Sequence, residues 1–294
     1  MKNKKILVTG SSGFLGSHVV DVLDEKGYEV VLFDLESSTY KKESHNEIIG
    51  DILNYDEVLS AVKGCDAIFH FAAQADIDIS TTNPLKTIEQ NIIGTSNILE
   101  ASTKVGINRF IFASTIYVYS NLGSFYKASK QSCEKIIEEY RRQFDLDYTI
   151  LRFGSLYGPR ANKFNAIESF LIAALKKQKI VRKGDGEEIR EYIHARDAAE
   201  LSVKALSDDY KNKHLILTGN EQIKVKDLLK MINEILGGEI LIEYVQDYDP
   251  SHYEITPYNY RPETAMKLTS NKHHDLGQGI IDQVYEIEKK YKDR

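Results

Sequence analysis

The chain has 294 residues, 42% of them hydrophobic, enough to bury a sizeable core in one large or two closely joined domains. Its net charge of −6 offers no basic footprint for nucleic acid, and no uncharged apolar run is long enough to cross a membrane. The two cysteines, Cys65 and Cys133, suit a reducing compartment, and the first apolar stretch, Ile6 to Val8, is too short for a signal peptide, so a cytoplasmic protein is expected.

Lys5 to Thr9 reads as a buried strand and Phe14 to Lys26 as a helix closed by Gly27. Between them lies Gly10-Ser11-Ser12-Gly13-Phe14-Leu15-Gly16, a GxxGxxG spacing in place of the commoner GxGxxG. Glycines there permit a tight turn, let backbone N–H groups approach phosphates, and let the helix pack close to the strand with its positive end toward an anion. A dinucleotide pyrophosphate fits such a turn, with Gly10, Gly13, Phe14, Leu15 and Gly16 around it. A second strand, Glu29 to Phe33, ends at Asp34, about 20 residues beyond the glycines. A carboxylate there accepts both ribose hydroxyls and repels a 2′-phosphate. No arginine follows in Leu35-Glu36-Ser37-Ser38, so NAD is expected as cofactor rather than NADP.

The alternation continues with a strand at Ala67 to Phe71, a helix from about Pro84 to Val105, a strand at Arg109 to Ala113, a helix from about Tyr126 to Phe144 and a strand at Tyr148 to Phe153. It predicts an α/β fold of Rossmann type, a doubly wound parallel sheet with helices on both faces. After 156 the rhythm is lost, apart from a strand at His214 to Thr218. The expected division is therefore an NAD-binding domain of residues 1–156 and about 196–219, and a smaller, discontinuous C-terminal substrate lobe of about 157–195 and 220–294. The site is expected between that lobe and the carboxyl ends of the strands.

Tyr126 and Lys130 lie four apart on one helix and so share a face, while Ser114-Thr115 ends the preceding strand at the carboxyl edge. A lysine beside a tyrosine favours phenolate, which can take a proton from a sugar hydroxyl as hydride leaves the carbon. Thr115 would bond the same oxygen. His70, inside an apolar strand, reads as a packed core histidine. His273-His274-Asp275 is too compact to surround an ion, so no metal is expected.

Taken together, GSSGFLG (Gly10 to Gly16), Asp34, Asp51-Ile52, HFAAQA (His70 to Ala75), NIIGTSNILEA (Asn91 to Ala101), FIFAST (Phe110 to Thr115), YKASK (Tyr126 to Lys130) and LRFGSLYGPR (Leu151 to Arg160) resemble the extended short-chain dehydrogenase/reductases of the NAD-dependent nucleotide-sugar epimerase/dehydratase family. The resemblance implies that Asp51 and Ile52 contact adenine, that Ala72 and Ala73 pass beside the cofactor, and that Thr115, Tyr126 and Lys130 are catalytic, Lys130 also touching the cofactor. It implies a nucleotide-diphosphate sugar as substrate, held by Ser114, Ser155, Arg190 and Arg261. Guanidinium forks suit the diphosphate. It further implies a homodimer through the helices around 91–105 and 126–144. Asn91 is read as structural, and Arg160 as held at the junction of the lobes.

Relatives that dehydrate or decarboxylate the sugar carry acidic residues just after the catalytic Ser/Thr, where this chain has Ile116-Tyr117. The expected activity is therefore C4 epimerisation, similar to UDP-glucose 4-epimerase, through a transient 4-keto sugar. A 4-reductase or dehydrogenase is the alternative; a 4,6-dehydratase and a non-catalytic NAD-binding regulator rank below it. Three features depart from the family pattern: only ten residues separate Thr115 from Tyr126, Ser155 stands where an asparagine is frequent, and Lys267 replaces a frequent arginine.

Overall fold

The structure, a computed structural model, describes residues 4–245, 266–268 and 274–292. In the first half the elements are β1 (Lys5–Thr9), α1 (Phe14–Glu25), β2 (Glu29–Asp34), β3 (Asn46–Ile49), α2 (Tyr55–Val62), β4 (Ala67–His70), α3 (Ile77–Thr82), α4 (Pro84–Ile88), α5 (Gly94–Val105), β5 (Arg109–Thr115), α6 (Ser124–Phe144) and β6 (Asp147–Phe153). There follow β7 (Ser155–Tyr157), α7 (Ala166–Lys177), β8 (Lys179–Lys183), β9 (Ile189–His194), α8 (Ala195–Lys204), β10 (Lys213–Leu217), β11 (Gln222–Lys224), α9 (Val225–Ile235), β12 (Leu241–Val245), β13 (Met266–Lys267) and α10 (Leu276–Lys292).

Eight strands form one sheet in the order β13-β10-β6-β5-β4-β1-β2-β3, every pair parallel. Parallel strands need crossovers, and helices supply them, so both faces are covered and the central strands read as continuous apolar runs. Ile6, Val8 and Phe69 face one apolar layer with α1 and α8; Leu7, Ile68 and Phe110 face another with α2, α5 and α6. The order reverses between β1 and β4, and the glycine turn after β1 opens at that crevice.

A third apolar cluster stands apart from the sheet layers. Tyr157, Leu171, Ile180, Leu228, Ile232, Ile280 and Ile287 build it from three separate stretches of chain. Two small sheets, β11-β9-β7 and β12-β8, complete this region.

The helix expected over Pro84 to Val105 is interrupted. Glu89–Ile93 forms a π-helical turn between α4 and α5, which places Asn91 inward, 1% exposed. The segment α2 lacked a long periodic pattern, but Asn54 caps it, its side chain accepting from the N–H groups of Asp56 and Glu57.

Candidate active site

At the end of β1, Gly10 takes φ +69°, and a Cβ built there would lie 2.6 Å from the Ala72 nitrogen. A Cβ on Gly16 would lie 2.0 Å from the Gly10 carbonyl oxygen. The turn, the start of α1 and the chain after β4 are thus packed backbone to backbone, leaving a cradle that any larger side chain would fill. Asp34 closes it: its carboxylate accepts from the Ser12 N–H (2.8 Å) and the Leu35 N–H (2.8 Å).

Gly10, Gly13, Phe14, Leu15, Gly16 and Ala73 line a cleft of about 610 Å³ at the carboxyl ends of the strands, together with Thr115, Tyr126 and Lys130. Asp34, Asp51, Ile52 and Ala72 lie outside its lining. Ile52 is packed against Gly94, and Asp51 accepts from the Leu53 N–H (2.9 Å). Ser155, Arg182, Arg190 and Tyr192 also line the cleft.

The strand β5 and the helix α6 bring the reactive side chains together. Tyr126, half-buried, is hydrogen-bonded to the Thr115 side chain. Thr115 also accepts from the Tyr117 N–H (3.2 Å), which caps the short 3-10 turn Ile116–Tyr119 and turns the chain away from the strand. Lys130 is buried; its ammonium donates to the Ala113 carbonyl (2.7 Å) and lies 4.6 Å from the Phe112 ring centroid and 6.0 Å from that of Tyr126. Burial pushes the Tyr126 phenol up to about 12 and the Lys130 ammonium down to about 8. At Tyr126 desolvation is the larger effect, opposed by the hydrogen bond to Thr115.

The Ser114 hydroxyl donates to the Glu134 carboxylate (2.5 Å) in the interior, while the residue borders the cleft. Asn91 pins the chain after β4 to α6: its amide accepts from the Gln74 N–H (2.7 Å) and donates to the Gln74 carbonyl (3.0 Å) and to the Ser129 hydroxyl (2.9 Å). His70 sits between the Thr9 hydroxyl (2.7 Å) and the Thr95 hydroxyl (2.9 Å), and burial pulls its imidazole down to about 3. It is a core residue. Arg160, with φ +66°, pairs with Asp21 of α1 (2.8 Å), its guanidinium 4.2 Å from the Tyr40 ring centroid and its backbone N–H donating to Glu286 of α10 (2.8 Å).

The chain matches the NAD dependent epimerase/dehydratase family over residues 6–217. It belongs to that family. A Methanocaldococcus jannaschii protein, provisionally named a UDP-glucose 4-epimerase, is 31% identical, with 94% of this chain and 95% of that one covered. The UDP-N-acetyl-alpha-D-glucosaminuronate decarboxylase of Bacillus cytotoxicus is 30% identical over 96% of this chain and 97% of its own. The crystal structure of UDP-glucose 4-epimerase from Thermotoga maritima with UDP-glucose superimposes with a TM-score of 0.87 at 28% identity, covering 98% of this chain and 99% of that one.

NAD is the cofactor of this epimerase/dehydratase, and the glycine cradle with Asp34 beside the Ser12 N–H fits a dinucleotide. Two groups escaped the sequence reading. Arg182 lines the cleft and pairs with Glu188, a neighbourhood that only the folding of β8 beside β12 and the loop before β9 creates. His274 bonds Asp197 through both its ring (2.5 Å) and its N–H (2.7 Å) and stacks on His194 at 4.3 Å. One ligand atom from each of His194, Asp197 and His274 lies within 4.8 Å of the others, a cluster that reading His273-His274-Asp275 as a compact run did not bring out. Arg261 lies outside the described residues; Lys267 reaches Glu191 (3.2 Å). Among the described residues, no helix is long and apolar enough to cross a membrane.

Proposed function

We propose that the protein is a cytoplasmic nucleotide-sugar C4 epimerase. One observation carries the reading: among the described residues lining the cleft there is no Asp, Glu or His, while Lys130, Arg182 and Arg190 supply cations. Elimination of water from a sugar needs an acid and a base besides the tyrosine. Oxidation and re-reduction at one carbon needs a single proton carrier.

Tyr126 fills that role. It takes the proton of the 4-hydroxyl as hydride leaves C4, and returns it when hydride is delivered to the opposite face of the 4-keto sugar. NAD supplies the hydride acceptor at C4 and a positive charge that favours phenolate. Thr115 holds the reacting oxygen against Tyr126. Arg190, with Arg261, would take the diphosphate, and Ser155 the sugar side. The 30% likeness to a decarboxylase makes loss of carbon dioxide the main competitor.

Homodimerisation through the helices around 91–105 and 126–144 is part of the same proposal. Ile93 (49% exposed) presents apolar surface there, Leu85 and Ile88 are exposed on the preceding α4, and Tyr140 of α6 is tied to Glu100 of α5 (3.1 Å).

The test is to incubate the purified protein, without added cofactor, with UDP-, GDP- and dTDP-sugars and follow mass and proton NMR. An isomer of unchanged mass is expected. Loss of two hydrogens, of water or of carbon dioxide would replace the reading by a dehydrogenase, dehydratase or decarboxylase.

A further inference from the structure

Beneath the reactive groups lies a buried ion pair that the proposed chemistry does not use. Glu134 and Arg152 are 4% and 5% exposed. Arg152 donates from Nε to Glu134 Oε1 (3.0 Å) and from Nη2 to Oε2 (2.6 Å). It also meets the Tyr119 hydroxyl through Nη1 and donates from Nη2 to His214 Nδ1 (2.7 Å). Burying such a pair costs desolvation that its mutual attraction roughly offsets, so stability alone does not explain it.

Its placement does. Tyr126, Lys130 and Glu134 are spaced four apart along one face of α6, and they hold three consecutive residues of β5: Tyr126 holds Thr115, Lys130 the Ala113 carbonyl and Glu134 the Ser114 hydroxyl. Arg152, on β6 and level with Ser114, locks the third contact from the far side. We propose that Glu134, held by Arg152, is a positioning residue that fixes α6 on the end of β5 and supplies a carboxylate one helical turn from the Lys130 ammonium.

Lys130 faces Tyr126, Cys133 and Glu134 from its own helix, His70 from β4, and the Ala113 carbonyl and Phe112 ring from β5. Arg152 of β6 bonds the same Glu134. Desolvation lowers Lys130, and Cys133 and then Glu134, the one carboxylate among them, oppose it.

The kinetic part rests on the C4-oxidation reading; the titration part does not. In protein labelled with 15N-lysine, the Lys130 signal is assigned with Lys130→Arg and titrated. In Glu134→Gln its midpoint is expected to fall by about one pH unit, the effect of removing an adjacent opposite charge, and to recover in Glu134→Asp. The alkaline limb of the kcat profile should move by the same amount with KM unchanged. A folded Glu134→Gln protein whose Lys130 titrates as in the parent overturns the proposal. Should that variant not fold, Ser114→Ala cuts only the tie to β5, and kcat is expected to fall about tenfold at constant KM; an unchanged kcat overturns the positioning role. A parent that turns over no sugar refutes the C4 reading and leaves the titration result standing.

Discussion

Replacing Lys130 by methionine should leave the fold at least as stable while abolishing turnover. The methylenes of Lys130 are buried, and methionine keeps most of their packing. What is lost is an ammonium whose proton affinity folding lowers from 10.5 to about 8. The unfolded chain holds that proton more tightly, so the charge costs the native state about 3 kcal/mol at every pH below about 8. The cost fades as pH rises toward 10.5, because both states then lose the proton. Against this, the Ala113 carbonyl loses its 2.7 Å donor, worth about 1–3 kcal/mol. The balance is a gain of about 0–2 kcal/mol for Lys130→Met at pH 7, shrinking or reversing by pH 10. Urea unfolding of both proteins at the two pH values measures it. A variant less stable than the parent by more than about 1 kcal/mol at pH 7, or an advantage that does not shrink with pH, would refute the reasoning.

Four further outcomes follow from the same geometry. Tyr126→Phe should lower kcat by at least about 10²-fold with NAD content unchanged by absorbance, since only the proton carrier is removed. Gly16→Ala should weaken NAD binding and destabilise the chain by about 1–3 kcal/mol, because its methyl would lie 2.0 Å from the Gly10 oxygen; calorimetric titration and melting both read this. His70 must stay neutral when folded, its midpoint near 3 against 6.5 in the open chain, so stability should fall as pH drops below 6.5 by about 1.4 kcal/mol per unit. His70→Gln should flatten that slope in urea titrations at pH 7 and 5. Leu85→Lys with Ile93→Lys should convert the proposed dimer to a monomer by light scattering, and a parent that is already monomeric would remove the dimer reading.

Much of the architecture was legible because its signals are local. The glycine turn, the apolar runs of β1, β2, β4, β5 and β6, and the Tyr126-Lys130 spacing each depend on a few neighbouring residues, and each stands where the pattern places it. The four-residue β3 and eight-residue α2 are too short for periodicity to declare. The direction of Ser114 was not legible either: a hydroxyl at a strand end can face solvent or interior, and only the Glu134-Arg152 pair decides it. A carboxylate four residues after Lys130 was in plain view in the sequence, yet its partner on β6 is supplied by the sheet. The pairing of His274 with Asp197 and His194 joins residues about 80 apart and has no local trace at all.

The π-helical turn at Glu89–Ile93 carries one residue more than an α-helical turn would need. Such an insertion sets the phase between two helical segments. Deleting a single residue, Gln90 for instance, would let α4 and α5 run on as one regular helix, with better backbone geometry. It would also rotate Asn91 by about 100° relative to α4, releasing its hold on Gln74 and Ser129. The irregularity is therefore a place where an insertion-deletion event, rather than a substitution, would trade helix regularity against the alignment of α6 with the cleft.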